Sequence, residues 1–381
     1  MNFKIILLTF FTLFLSHKNV AQSVPAYSHI VVVIGENTKA SSVLGNSSAP
    51  YINSLANGGA KFTNSFAVFH PSQPNYISLF SGSNQGISND NLITTKFTTA
   101  NLGNELISAG KTFITYSEDL PSIGFDGKTS AKYARKHNAS ANWMGTGVNQ
   151  IPATANQPFT AFPSNFNNLP TVSFVIPNLC NDGHDICAPT SNKTLQYDLW
   201  IKNNLNAYKL WCVNNNSLLI VTYDEDDSAT TANKIATVFY GAKVAVGTYN
   251  QTINHYTVLR TIEEATRLTS HAGAAANATA INYCWQAGSV LKQISGTKFE
   301  DKSINNDENI SIFPNPIEGD VLNVSGLDKY LEYEIINLQG KILLNGKIYS
   351  ESIFVGELKK GIYLIRFLNS DKIFTKRFIK N

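Results

Sequence analysis

Five short apolar runs recur between Tyr27 and Leu291: His29–Ile34, Thr112–Tyr116, Thr171–Ile176, Leu218–Tyr223 and Thr237–Tyr240. Each is nearly continuous rather than alternating, the pattern of strands buried on both faces. Segments of helical period separate them, at Tyr51–Asn57, Leu102–Ala109, Leu195–Val213 and Thr257–Arg267. Strands alternating with helices predict an α/β domain, a mostly parallel sheet with crossover helices on both faces. The chain has 381 residues, and at roughly 150 residues per domain it has room for two or three.

A second regime follows. Residues 295–308 turn polar and charged and read as a linker. After them come short alternating runs: Ile310–Phe313, Val321–Val324, Tyr333–Asn337, Lys341–Asn345, Ile362–Phe367 and Ile373–Ile379. These predict a small β-sandwich over 309–381, with no ionisable cluster suited to catalysis.

The strands of the first regime end in a shared way. His29–Ile34 runs into Gly35-Glu36-Asn37, and Leu218–Tyr223 into Asp224-Glu225-Asp226-Asp227. Thr171–Ile176 leads to Asp182-Gly183-His184-Asp185, and Thr112–Tyr116 to Ser117-Glu118-Asp119. Ligands of open α/β sheets bind outside the carboxyl ends of strands, so these groups can converge on one crevice. Glu36, Asp224 and Glu225 would repel one another there unless protonated or bridged by a cation. With the amide oxygen of Asn37 they form a hard, oxygen-rich set. That set suits one divalent ion, Ca²⁺, Mg²⁺ or Mn²⁺ before Zn²⁺. Taken alone, the run Asp224–Asp227 reads equally well as a solvated turn.

A second constellation is His70-Pro71-Ser72-Gln73-Pro74-Asn75-Tyr76, followed by the apolar Ile77–Phe80. Pro74 fits the first turn of a helix. Ser72 then sits at the helix N-terminus, where it either caps the helix or acts as a nucleophile beside free N–H groups that favour a phosphoryl anion. His184 and His137 stand in polar loops, each either solvated or available to donate protons. His29 reads as structural, and His255, just before a predicted helix, as a packing or capping residue or as a member of the site.

The compartment is written at the start. Lys4, the apolar run Ile5–Leu15 and Asn19-Val20-Ala21-Gln22 read as a secretory signal, with cleavage expected after Ala21. The run is too short to span a bilayer, and no later stretch qualifies as an integral membrane segment. Formal charge is +3 and falls to +1 without Lys4 and Lys18, too neutral for a nucleic-acid partner. Four cysteines in an exported chain favour disulfides over a thiolate metal site. Cys180 and Cys187 bracket a short loop and are expected to pair, leaving Cys212 with Cys284.

These residues resemble a known family. His29–Asn37, Asn46–Gly59 and His70–Gly82 are similar to the phosphoesterase family of bacterial acid phosphatases and phospholipase C enzymes. The likeness continues through Ser173–Asp185, Val221–Glu225 and Tyr256–Glu264, covering most of residues 27–290. It implies an alkaline-phosphatase-like fold over a catalytic domain of residues 22–294, and a phosphate-ester substrate. It also implies that Glu36, Asn37, Asp224 and Glu225 hold a single metal and that Ser72 is the nucleophile coordinating it. His137, Asn138, His184 and Asp185 would form the phosphate-binding and proton-transferring side. Phospholipase C members carry Arg-Ser-Phe-Asp after Glu-Asn, where this chain has Thr38-Lys39-Ala40-Ser41, and so the compact acid-phosphatase branch is the better match. Some relatives there act on phosphoinositide monoesters.

The C-terminal region resembles a type A sorting domain of the type IX secretion system, through Ile312-Phe313-Pro314-Asn315-Pro316, Tyr333–Lys341, Leu358–Phe367 and Thr375–Lys380. That resemblance implies a partner in the secretion machinery and a secreted or cell-surface fate. The expectation is therefore a secreted, metal-dependent phosphomonoesterase working through a phosphoserine. Its rivals are a phospholipase C-type phosphodiesterase and a non-catalytic surface-binding protein.

Overall fold

The structure is a computed structural model, which describes residues 23–228, 231–286, 310–325, 332–337, 342–348, 352–368 and 373–381. The expected signal peptide and linker lie outside the described residues. The chain divides into two compact units, Met1–Ser289 and Val290–Asn381.

In the first unit the strands are β1 (His29–Gly35), β2 (Ala60–Phe66), β3 (Phe113–Ser117), β6 (Asn156–Pro158), β7 (Val172–Ile176), β8 (Ser217–Tyr223), β9 (Lys234–Gly241), β10 (Gly247–Tyr249) and β11 (Ile253–Asn254). A separate two-residue pair, β4 (Thr129–Ser130) and β5 (Tyr133–Ala134), forms a small hairpin. The main sheet runs β10-β2-β9-β8-β1-β7-β3-β6, with β11 also on β2. β8, β1, β7 and β3 are parallel neighbours, as their continuous apolar runs predict. The sheet is mostly parallel, as expected, with β9 lying antiparallel between β8 and β2. Only a short polar segment separates β8 from β9, and its described residues, 224–228 and 231–233, form no helix.

Helices α1 (Pro50–Gly58), α2 (Ser72–Ser81), α3 (Leu102–Ser108), α4 (Lys193–Cys212) and α5 (His255–Ala265) complete the unit. β1 shows how both faces are used. Ile30, Val32 and Ile34 share a core with Tyr76, Ile77 and Phe80 of α2 and with Val258, Leu259 and Ile262 of α5. Val31 and Val33 point the other way, into a core with Ile52 and Leu55 of α1 and Tyr197, Ile201 and Leu205 of α4. The side-chain period of two in a strand produces this split, and each buried aliphatic contributes roughly 1.5–3 kcal/mol.

Cys180 and Cys187 are disulfide-bonded. Cys212 and Cys284 are not, which corrects the second expected pair. Cys212, at the end of α4, is buried in the core beneath one face, whereas Cys284 is buried in the core on the other. An even cysteine count carries no information about the sheet that stands between two of them.

The second unit holds a three-stranded antiparallel sheet, β12 (Ser311–Phe313), β13 (Val321–Ser325) and β16 (Ser352–Phe354). A four-stranded one follows the order β15 (Ile342–Lys347), β14 (Glu332–Ile336), β17 (Gly361–Leu368) and β18 (Ile373–Lys380). Leu322, Val324 and Ile353 of the first meet Ile335, Ile365 and Phe367 of the second in one core, as in a sandwich.

α5 carries a titration with a stability consequence. Glu263 is buried, accepts from the Ala272 N–H at 2.9 Å and lies 3.0 Å from His271 Nδ1. Burial pushes its carboxyl up to about 8. The folded chain therefore keeps a proton that the unfolded chain loses near the ordinary value of 4.5. This contribution is fully present below that value and is lost as pH rises through 8, at up to about 1.4 kcal/mol per pH unit. Wild type and Glu263→Gln, compared by urea unfolding at acidic and mildly alkaline pH, should differ in slope, with the variant flatter.

Candidate active site

The register of β1 on β8 builds the site. Gly35 is paired with Tyr223, so the next residues, Glu36 and Asp224, emerge side by side at one sheet edge. Gly35 is required there, because a Cβ would lie 2.6 Å from ring carbons of both Tyr197 and Tyr223. Asn37 adopts a left-handed φ of 50°, which asparagine tolerates better than most residues. Its N–H donates to Asp224 Oδ1 at 3.1 Å, and the Glu225 N–H donates to the same oxygen at 2.6 Å.

α2 brings the serine to this edge. Ser72 is the first helical residue, and its side chain makes no capping bond to the helix. Oγ instead lies 2.6 Å from Glu36 Oε1 and 2.8 Å from Glu225 Oε1. The hydroxyl has one hydrogen, so it serves one carboxylate at a time. The capping alternative is thus not the one realised. One turn on, Tyr76 stacks on His137, with ring centroids 4.9 Å apart. The i, i+4 spacing puts serine and ring support on the same helix face.

Glu36 Oε1 is the hub. His137 Nε2 lies 2.8 Å and Lys136 Nζ 3.9 Å from it. Burial alone would raise Glu36, but the His137 imidazolium outweighs it and holds the carboxyl at about 2. Burial opposes the charge on His137 too, yet Glu36 and Asp182 raise it to about 9. Asp224 is driven well above the usual carboxylate range by burial and then by Glu36 and Glu225. Glu225 is raised, chiefly by burial.

Carboxylate oxygens of Glu36, Asp224 and Glu225 all lie within 4.8 Å of one another, and all three residues are buried. Glu36 Oε2 and Asp224 Oδ2 are buried with no hydrogen-bond partner. Buried acceptors are ordinarily satisfied, and clustered carboxylates ordinarily shed charge. A divalent cation resolves both problems at once, so the residues present fit a hard-metal site.

Residues 36–269 match the model of the phosphoesterase family. The chain belongs to that family. It is a hydrolase of phosphoric ester bonds. Among its relatives is a phosphatidylinositol-3-phosphatase of Mycobacterium tuberculosis, 45% identical over 267 residues, covering 70% of this chain and 85% of that protein. An acid phosphatase of Aspergillus fumigatus is 31% identical over 222 residues, covering 55% of this chain and 48% of its own length. A Vibrio parahaemolyticus structure, described as a protein in the alkaline phosphatase superfamily, aligns with a TM-score of 0.48 at 9% identity, over 93% of this chain and 81% of that one. Residues 311–381 match the secretion system C-terminal sorting domain, which implies secretion or display at the cell surface. No helix among the described residues is long and apolar enough to cross a membrane.

Other residues singled out in this phosphoesterase occupy distinct places. His184 Nδ1 lies 2.7 Å from Asp185 Oδ1, and its ring centroid is 6.4 Å from that of His137. Asp185 also lies 3.6 Å from Lys132 Nζ. The resemblance puts Asn138 on the phosphate-binding side. It is buried, and Nδ2 donates to Asn156 Oδ1 at 2.8 Å and lies 3.2 Å from Ser117 Oγ. Oδ1 accepts from Ser140 Oγ at 2.8 Å. With its N–H groups engaged, Asn138 anchors the turn that carries His137. Glu118, another acidic strand end, straps the disulfide loop through Asn178 N–H and Asn181 Nδ2.

Three further residues join the site, of which Asp182 and His70 had no role of their own assigned from sequence. Asp182 is buried, accepts the Glu36 N–H through its carbonyl at 2.8 Å and the His184 N–H through Oδ1 at 2.8 Å, and lies 3.3 Å from His137 Nδ1. His70 Nδ1 is bonded to Glu225 Oε2, and its Nε2 lies 3.5 Å from Asp226 Oδ1. His255 Nε2 donates to the Asp224 carbonyl at 2.6 Å and so fixes a candidate ligand from behind. Burial pushes His255 down to about 4, which keeps it neutral for that role. For His70, its place two residues before Ser72 was the available signal.

Proposed function

We propose that this chain hydrolyses phosphate monoesters by double displacement, through a phosphoserine at Ser72. The observation that carries the reading is Ser72 Oγ held between two buried carboxylates, Glu36 and Glu225, beside a third, Asp224. A serine hydroxyl so placed has an acceptor for its proton in hand. Glu36, Asn37, Asp224 and Glu225 would hold a divalent cation, with Ca²⁺, Mg²⁺ or Mn²⁺ favoured by the oxygen donors and Ser72 Oγ adjoining it. When bound, that ion would offset the carboxylate charge and lower the pKa of the serine hydroxyl.

The chain's own residues support each half-reaction. Ser72 passes its proton to a flanking carboxylate as Oγ bonds to phosphorus, and the phosphorus–alkoxide bond breaks in line. His184 suits the proton donor to the leaving alkoxide. Its Nδ1 is oriented by Asp185, and its ring is about one-third exposed, which leaves Nε2 for the alcohol. His137 suits a fixed positive charge, since both its nitrogens face buried carboxylates. Water then attacks phosphorus, giving a proton back to the now neutral His184; the bond to Oγ breaks, and Ser72 recovers its proton from the carboxylate.

The mycobacterial relative's name makes a phosphoinositide monoester the first substrate to try. Purified protein should release phosphate from p-nitrophenyl phosphate and from vesicles containing phosphatidylinositol 3-phosphate. Turnover of bis-p-nitrophenyl phosphate should be at least about tenfold slower in kcat/KM. A preference for the diester would replace this reading with the phospholipase C-type one.

A further inference from the structure

The first turn of α2 provides fewer anion-binding donors than its sequence suggests. Gln73 N–H is taken by Asp90 Oδ1 at 2.9 Å, and Pro74 has none. A transferring phosphoryl group carries charge on its equatorial oxygens and needs fixed donors aimed at them. Most cations around the site are committed elsewhere. Arg135 is held by Asp126 and by the carbonyls of Ile93 and Ala141. Lys39 pairs with Asp227, and Lys193 donates to the Asn37 carbonyl.

Lys136 is placed differently. Nζ lies 2.9 Å from Asp90 Oδ2 and 3.9 Å from Glu36 Oε1, the second distance too long for a hydrogen bond. An ammonium has three donors, and among the described contacts Asp90 takes one. Ser72 Oγ contacts the same Glu36 oxygen, so the ammonium stands within the reach of one phosphoryl group from the nucleophile. Lys136 also lines a cavity of about 150 Å³ together with Gln73, Asp90, Leu92 and Leu179. Its side chain is 23% exposed and so partly desolvated.

From this geometry we infer that Lys136 is a catalytic residue binding a non-bridging phosphoryl oxygen, and that Asp90 positions it. Asp90 ties the ammonium to the same helix turn that carries Ser72, so nucleophile and cation move as one piece. The assignment rests on the phosphatase reading above and adds a residue to it.

The test uses the full chain with its metal, in the variants Lys136→Met, Lys136→Arg and Asp90→Asn. Lys136→Met should lower kcat/KM for p-nitrophenyl phosphate by about 10²-fold, the loss typical of one oxyanion donor. It should raise the inhibition constant of orthovanadate by a similar factor, with little change in melting temperature. Lys136→Arg should recover part of both, and Asp90→Asn should weaken both by a smaller factor. A purely structural Lys136 would instead lower the melting temperature and leave orthovanadate inhibition unchanged, which overturns the assignment. Should Lys136→Met fail to fold, wild-type orthovanadate inhibition in both remaining variants overturns it equally. Calorimetric binding of inorganic phosphate needs no turnover. A wild type that hydrolyses no monoester but loses phosphate binding with Lys136→Met would therefore sink the reaction and spare the site.

Discussion

Ser72→Ala should reduce phosphomonoester turnover at least about 10³-fold while the chain still folds. The loss follows from chemistry, because alanine leaves nothing to bond to phosphorus. Folding should survive because Ser72 is the first residue of α2 and caps nothing. The helix itself is anchored by Tyr76, Ile77 and Phe80 in the core. Removing the hydroxyl leaves Glu225 Oε1 without its serine partner, a cost of about 1–3 kcal/mol for a buried acceptor. The measurement is kcat alongside a melting curve. A folded Ser72→Ala protein retaining wild-type turnover would mean that water attacks phosphorus directly.

Removal of the divalent ion should have a comparable effect and a second signature. Exhaustive chelation should abolish turnover and lower the melting temperature, and adding back Ca²⁺, Mg²⁺ or Mn²⁺ should restore both. The thermal shift is expected because an ion that binds only the folded state stabilises it by mass action, about 2.7 kcal/mol at a hundredfold excess over Kd. Without it, three buried carboxylates share one edge with only His137 and His70 beside them to offset their charge. Asp224→Asn makes the complementary case. It removes one charge of the triad yet keeps an acceptor for the Asn37 and Glu225 N–H groups. The variant should lose turnover by at least about 10²-fold and lose the thermal response to added metal. Full activity after exhaustive chelation would contradict the cation.

Much of this site was legible because parallel strands announce themselves. The runs ending at Glu36 and Asp224 are continuous and apolar, and parallel pairing forces their carboxyl ends to one edge. What escaped was whatever depends on packing between distant segments. Asp182 reads in sequence as part of an acidic strand end, with no contact of its own assigned. Only the fold turns its carbonyl to Glu36 and its carboxylate towards His137. Asn138 adjoins His137 in sequence, and the buried polar network that its side chain enters is set by the fold. Cys212 and Cys284 were paired by elimination, and two cores on opposite faces keep them apart. Strand direction at β9 was likewise invisible, because the residues of an antiparallel strand buried on both faces look the same as those of a parallel one.

The central claim is a double displacement at Ser72, and its stereochemical course tests it most directly. Hydrolysis of a phosphate monoester made chiral at phosphorus by oxygen isotopes should give a product with retained configuration. Each of two in-line displacements inverts the centre, first by Ser72 and then by water. Inversion would show a single displacement and contradict the phosphoserine.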